Sequence, residues 1–170
     1  MSHPRERFWE QAHAILLDKT PWTQRKAAIL DLVHEYDQGH ALLEAGPRPD
    51  ANTPTKVSHP LTDEEKGYRC FLKSWELDEE TGIHGHPHTM FVYVMSAELE
   101  SIAYQRQGDY ITHHSTKMFQ PGQTMTGCVD NARYDNFIHN LRCTKAGWSL
   151  HMYSDWGGRG ERFEQPEEHS

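Results

Sequence analysis

Along the first 45 residues, apolar positions recur at helical spacing. Phe8, Ala12, Ile15 and Leu16 share one face, and Thr20-Pro21 marks a stop and restart. Thr20 is placed to cap a second helix with Pro21 at its first position, and Ile29, Leu30, Val33, Tyr36 and Leu43 supply its buried stripe. Gly39 weakens that stripe near its end. Residues 46–60 hold four prolines and little apolar content, which reads as a surface linker. From residue 68 the pattern changes to alternation. Residues 68–77, 83–95, 99–105, 116–119, 137–143 and 148–153 read as strands, with turn signals at Gly82, Gly108, Pro121-Gly122 and Gly147 between them. Short strands at this spacing predict a mainly β domain, a small barrel or sandwich with the helices outside it. Residues 155–170, Gly-rich and then acidic, are a tail that either wraps the barrel or stays loose. The whole chain of 170 residues is expected to form one domain.

Composition narrows the partners. Lys and Arg number 17 against 25 Asp and Glu, a formal charge of -8, which argues against a nucleic-acid backbone as ligand. The apolar run over 90–95 is far short of the ~20 residues that span a bilayer. The polar start, Met1-Ser-His-Pro-Arg-Glu, lacks the apolar stretch of a secretion signal. Cys70, Cys128 and Cys143 are too few for a disulfide framework, so a reducing, cytoplasmic setting is expected.

The 13 histidines change the picture more than any of these numbers. In Ile83-His84-Gly85-His86-Pro87-His88, residues two apart point to one face of a strand. His84 and His86 can therefore offer both imidazoles to one metal ion, or form a surface cluster; His88 shares their parity if Pro87 does not end the strand. A third ligand must come from elsewhere. His139, among apolar neighbours in Phe137-Ile138-His139-Asn140-Leu141, is either that ligand or a core histidine held by a backbone hydrogen bond. His113-His114, in a polar stretch that reads as a loop, is a weaker candidate. In Trp148-Ser149-Leu150-His151-Met152-Tyr153, alternation sends Ser149, His151 and Tyr153 to one face. A hydroxyl, an imidazole and a phenol in that order can form a hydrogen-bonded relay or, equally by pattern, face water.

Taken together these motifs resemble the cupin-fold thiol dioxygenases, the family of cysteine dioxygenase and 3-mercaptopropionate dioxygenase. The resemblance covers roughly residues 68–153. It rests on Trp75 ahead of His84-Gly85-His86, on the distant His139, and on the Ser149-Leu150-His151-Met152-Tyr153 strand. It implies a cupin barrel, an Fe(II) cofactor on His84, His86 and His139, and a catalytic relay of Ser149, His151 and Tyr153. It also implies a small thiol and O2 as substrates. Typical cupins add a Glu ligand four or five residues after the pair. Those positions, counted from His86, hold Met90 and Phe91, and thiol dioxygenases lack the Glu too. Met90 also stands where some members carry a Cys cross-linked to the active-site Tyr, so no thioether is expected on Tyr153. The region Lys56-Val-Ser-His-Pro-Leu61 has no Arg where cysteine dioxygenases bind the substrate carboxylate. The 3-mercaptopropionate type places that Arg after the Tyr, which points to Arg162, with Arg159 second, as carboxylate ligand beside Tyr153. Three histidines of this kind also suit Zn(II), another cupin reaction, or a non-catalytic binder.

Overall fold

The computed structural model describes residues 4–44, 59–60, 69–154 and 160–166. The helical segment forms α1 (Pro4–Leu17), α2 (Trp22–Glu35) and α3 (His40–Glu44). Among the described residues nine strands follow: β1 (His59–Pro60), β2 (Arg69–Trp75), β3 (His84–His86), β4 (Thr89–Val94), β5 (Glu98–Gln107), β6 (Tyr110–Phe119), β7 (Thr124–Cys128), β8 (Asn136–Lys145) and β9 (Gly147–Tyr153). They make a five-stranded sheet in the order β1-β2-β9-β4-β7 and a four-stranded sheet in the order β3-β8-β5-β6. Every strand pairing is antiparallel. This is the mainly β jelly-roll barrel, with helices packed outside, that the alternation predicts.

The two faces of the five-stranded sheet do different work. Cys70, Leu72, Phe91, Tyr93, Leu150 and Met152 point outward and pack under Phe8, Ala12, Leu16, Ile29 and Val33 of the helices. Trp75, Met90, Val92 and Val94 point inward to Leu99, Phe119, Met125 and Leu141. β4 is buried on both faces, which explains why its sequence is a continuous apolar run and not an alternation.

Several local expectations are corrected. Thr20 makes no cap: Pro21 occupies the N-cap position, without a side-chain cap bond, and α2 starts at Trp22. The predicted single helix breaks after Glu35, because Asp37, Gln38 and Gly39 all adopt positive φ. Gly39, at φ +86°, is the residue suited to that turn. Leu42 is therefore the buried residue of α3, and Leu43 is only half-buried. Residues 83–95 are two strands in different sheets, the chain crossing between them at Pro87-His88. His113 and His114 lie on β6 and not in a loop. β7 occupies a stretch that the alternation does not mark as a strand. The expected linker over 46–60 lies outside the described residues except at 59–60, which pair with β2. Among the described residues, no helix is long and apolar enough to cross a membrane.

Candidate metal centre and hydrogen-bonded relay

β3 lies directly against β8, with His84 opposite His139 in register. That pairing brings the ring nitrogens of His84, His86 and His139 within 4.8 Å of one another. His86 Nε2 and His139 Nε2 stand 3.1 Å apart. Two nitrogens sharing one ion at about 2.1 Å, with a right angle between the bonds, would be separated by about 3.0 Å. The observed spacing fits a metal-binding face. His84 Nδ1 lies 2.9 Å from the carbonyl oxygen of Gly82. Donating its N–H there fixes the tautomer and leaves Nε2 with a lone pair for the ion. Burial lowers the proton affinity of all three rings, that of His139 to about 3. At neutral pH all three are uncharged donors. The cluster contains no carboxylate, as the resemblance implies. His88 is not part of it: past Pro87 its Nδ1 meets Ser154 Oγ at 3.1 Å.

Gly85 separates the two histidines of β3 for a steric reason. A Cβ there would stand 2.5 Å from the carbonyl oxygen of Tyr134 and 2.6 Å from Asp135 Cα. On its other side the strand is strapped by the tail. Gly85 N–H donates to Glu161 O at 2.9 Å, Phe163 N–H to Ile83 O at 3.1 Å, and Gly160 is too close to Gly85 O to carry any side chain. The tail over 160–163 therefore wraps the barrel. It places Arg162 beside His84, exposed at the rim of the site, with Nη1 donating to Thr81 O at 2.6 Å. Arg159 lies outside the described residues.

The β9 alternation puts Ser149, His151 and Tyr153 on the inner face, Ser149 and His151 fully buried there. Ser149 Oγ lies 2.6 Å from His151 Nε2, and His151 Nδ1 lies 2.8 Å from the Tyr153 hydroxyl. Trp75, noted in the sequence only for preceding the histidine pair, extends this chain: its indole N–H donates to Ser149 Oγ at 2.7 Å. Indole can only donate, so Ser149 Oγ accepts from Trp75. With His151, kept neutral chiefly by burial, in its Nδ1–H tautomer, Ser149 donates to His151 Nε2 and His151 donates from Nδ1 to Tyr153, which satisfies every group in the chain. The Tyr153 O–H is left to donate into the cavity, and burial holds that phenol protonated well above the usual tyrosine range. The Tyr153 ring stacks on His86 at 4.9 Å, and Phe71 stacks on His151 at 4.8 Å. Met90 is the cross-strand partner of Tyr153.

Ser149→Ala would leave the Trp75 N–H and His151 Nε2 without a partner inside the barrel. Each orphaned group costs about 1–3 kcal/mol, so urea denaturation should show a loss of about 2–6 kcal/mol. A loss below ~0.5 kcal/mol would contradict the relay as drawn.

His84, His86, His151 and Tyr153 line a cavity of about 580 Å³ that also presents Arg69, Lys73, Glu79, Glu80 and Arg162. Arg69 and Lys73 carried no motif. Their signal was the alternation of β2 itself, which sets Arg69, Phe71, Lys73 and Trp75 on one face.

No family model matches the sequence, and no curated protein matches it. Solved structures are similar to parts of it. A conserved protein of unknown function from Streptococcus pyogenes is 19% identical with a TM-score of 0.45, over 58% of this chain and 73% of that one. A cupin superfamily protein from Desulfitobacterium hafniense is 11% identical with a TM-score of 0.47, over 62% and 83%. An RmlC-like cupin from Shewanella frigidimarina is 16% identical with a TM-score of 0.39, over 52% and 67%.

Proposed function

We propose that this cupin-type barrel is an Fe(II)-dependent thiol dioxygenase that converts a small, carboxylate-bearing thiol and O2 to the sulfinate. The observation that carries the reading is the continuity of the relay with the histidine cluster: Trp75, Ser149, His151 and Tyr153 are hydrogen-bonded in series, and the last ring stacks on His86. A simple metal-binding or ligand-binding barrel has no use for a donor aimed in this way.

Iron(II) held by His84, His86 and His139 would supply a Lewis-acidic, redox-active centre at which a thiolate and O2 can meet. Neutral imidazoles suit an anionic substrate, because they add no negative charge to the site. Arg162, at the rim beside His84, binds the substrate carboxylate through its planar fork and so fixes the reach of the sulfur. Tyr153 donates its hydroxyl hydrogen toward the reacting atoms, while His151 and Ser149 hold that hydroxyl in one orientation. Both oxygen atoms go to sulfur. Sulfur loses four electrons and O2 gains four, the thiol proton leaves to solvent, and no external reductant is needed.

The test is oxygen uptake by the iron-loaded protein with 3-mercaptopropionate, L-cysteine, cysteamine and mercaptosuccinate, with product mass measured. Stoichiometric uptake and a gain of two oxygen atoms are expected with a carboxylate-bearing thiol. Arg162→Gln should lower kcat/KM for those thiols about 10- to 100-fold, mostly through KM, since a hydrogen bond to a charged group contributes about 1.5–3 kcal/mol. Cysteamine, without a carboxylate, should not distinguish the two proteins. No uptake with any thiol at full iron occupancy would sink the proposal.

A further inference from the structure

The tail that carries Arg162 lies along the outer edge of β3. Its backbone is held by bonds from Gly85 N–H to Glu161 O, from Glu161 N–H to Tyr134 O and from Phe163 N–H to Ile83 O. In such an extended pairing, the neighbours of Arg162 point to the opposite face. Arg162 lines the histidine cavity, while Phe163 packs against Ile83, Ile111 and Ile138. Both neighbours meet one side chain. Arg106, on β5, donates from Nη1 to Glu161 Oε2 at 2.8 Å, and its guanidinium carbon lies 5.7 Å from the centre of the Phe163 ring. Nη1 also lies 3.0 Å from Asp135 Oδ2, and Nε donates to Gly108 O at 3.1 Å. Asp135 is buried and belongs to the backbone packed on Gly85. One guanidinium thus ties both residues flanking Arg162 to the wall beside the histidine pair.

Resting on Arg162 as the carboxylate ligand, we propose that Arg106 is a positioning residue for substrate recognition. It clamps Glu161 and Phe163 so that Arg162, between them, keeps one orientation at the rim. Orientation matters because a planar fork pairs with both oxygens of a carboxylate only when the two planes align. An exposed ion pair on its own contributes little. Here the Arg106 plane is already fixed by Asp135, the Gly108 carbonyl and the Phe163 ring, so little freedom is lost in holding Glu161. Arg106 itself does not line the histidine cavity, so its effect on substrate passes through the tail.

Two variants test this. Arg106→Gln cuts the link to the tail and leaves Asp135 with Arg133 at 2.9 Å. Glu161→Gln weakens the same link and keeps the Arg106–Asp135 pair, so the barrel wall stays as it is. With iron loaded, either should raise KM for 3-mercaptopropionate about 3- to 10-fold with kcat nearly unchanged. Cysteamine, without a carboxylate, should react as with the wild type. Arg106→Lys, which keeps the charge and loses the fork, should recover part of the loss. In an Arg162→Gln background, Arg106→Gln should add nothing, because its route to the substrate is gone. Calorimetry of 3-mercaptopropionate on the metal-free protein repeats the comparison without turnover. Affinity lost with Arg106→Gln, but not lost further in the Arg162→Gln background, would uphold the positioning role even if no thiol supported oxygen uptake; only the reaction would then be overturned. Unchanged KM and affinity in both variants would overturn the inference. So would an equal loss for cysteamine, or a loss that multiplies with that of Arg162→Gln, since either marks an effect that bypasses Arg162.

Discussion

His139→Gln is expected to leave the barrel folded and to abolish stoichiometric metal binding. His139 is buried on β8, where glutamine fills a similar volume and keeps a polar group, but it withdraws one of the three nitrogens that converge among the described residues. The remaining pair, His84 and His86, lies on one short strand that depends on β8 for its position. Metal analysis after anaerobic loading with Fe(II) should fall from about one ion per chain to background. Thermal unfolding gives a second readout. A ligand that binds only the folded state at a hundred times its Kd stabilises it by about 2.7 kcal/mol, which for a chain of this size raises Tm by roughly 5–11 °C. The wild type should show that rise and the variant none. A variant with the full metal content and the full rise would falsify the three-histidine site.

Gly85→Ala should do comparable damage without touching a ligand. The added methyl meets the Tyr134 carbonyl oxygen and Asp135 Cα, both backbone, so no rotamer change relieves the clash. Nor can that backbone give way easily, because Asp135 is tied to Arg106 at 3.0 Å and to Arg133 at 2.9 Å. Overpacking of this kind costs about 1–3 kcal/mol, which lowers Tm by roughly 2–12 °C. The chemistry should suffer more than the fold. Moving β3 away from β8 pulls His84 and His86 off His139, and misplaced ligands weaken metal affinity about 10- to 100-fold. The same shift breaks the Gly85–Glu161 bond that seats the tail, so KM for carboxylate-bearing thiols should rise as well. A variant with unchanged metal affinity and unchanged KM would show that the close approach at Gly85 is not what sets the site.

How much of this was legible in the sequence depended on the range of the signal. Period-two alternation fixed which side of β9 carries Ser149, His151 and Tyr153, because the pleat alone decides it. The same rule set His84 and His86 on one side of β3, and only the break at Pro87 settled that His88 is not with them. Helical spacing found Phe8, Ala12, Leu16, Ile29 and Val33, all buried against the barrel. The errors were also local in kind. Thr20-Pro21 has the right residues for a cap but not the bond, and polar residues on the exposed edge strand β6 read as a loop because a solvent-facing strand needs no apolar alternation.

What the sequence by itself determined, then, was the class of fold, the faces of its strands and helices, and the types of donor available. Those follow from neighbours along the chain, whose periodicity is fixed by backbone geometry. The tertiary structure alone decided that His139 meets His86 across 53 residues, that Trp75 closes a relay on a strand 74 residues away, and that the tail returns Arg162 to His84. It alone placed Arg69 opposite Tyr153. These contacts depend on the register and sheet order of strands distant in sequence. That order is set by the shared burial of two sheet faces and the helices over one of them, a balance over the whole chain that no short motif contains.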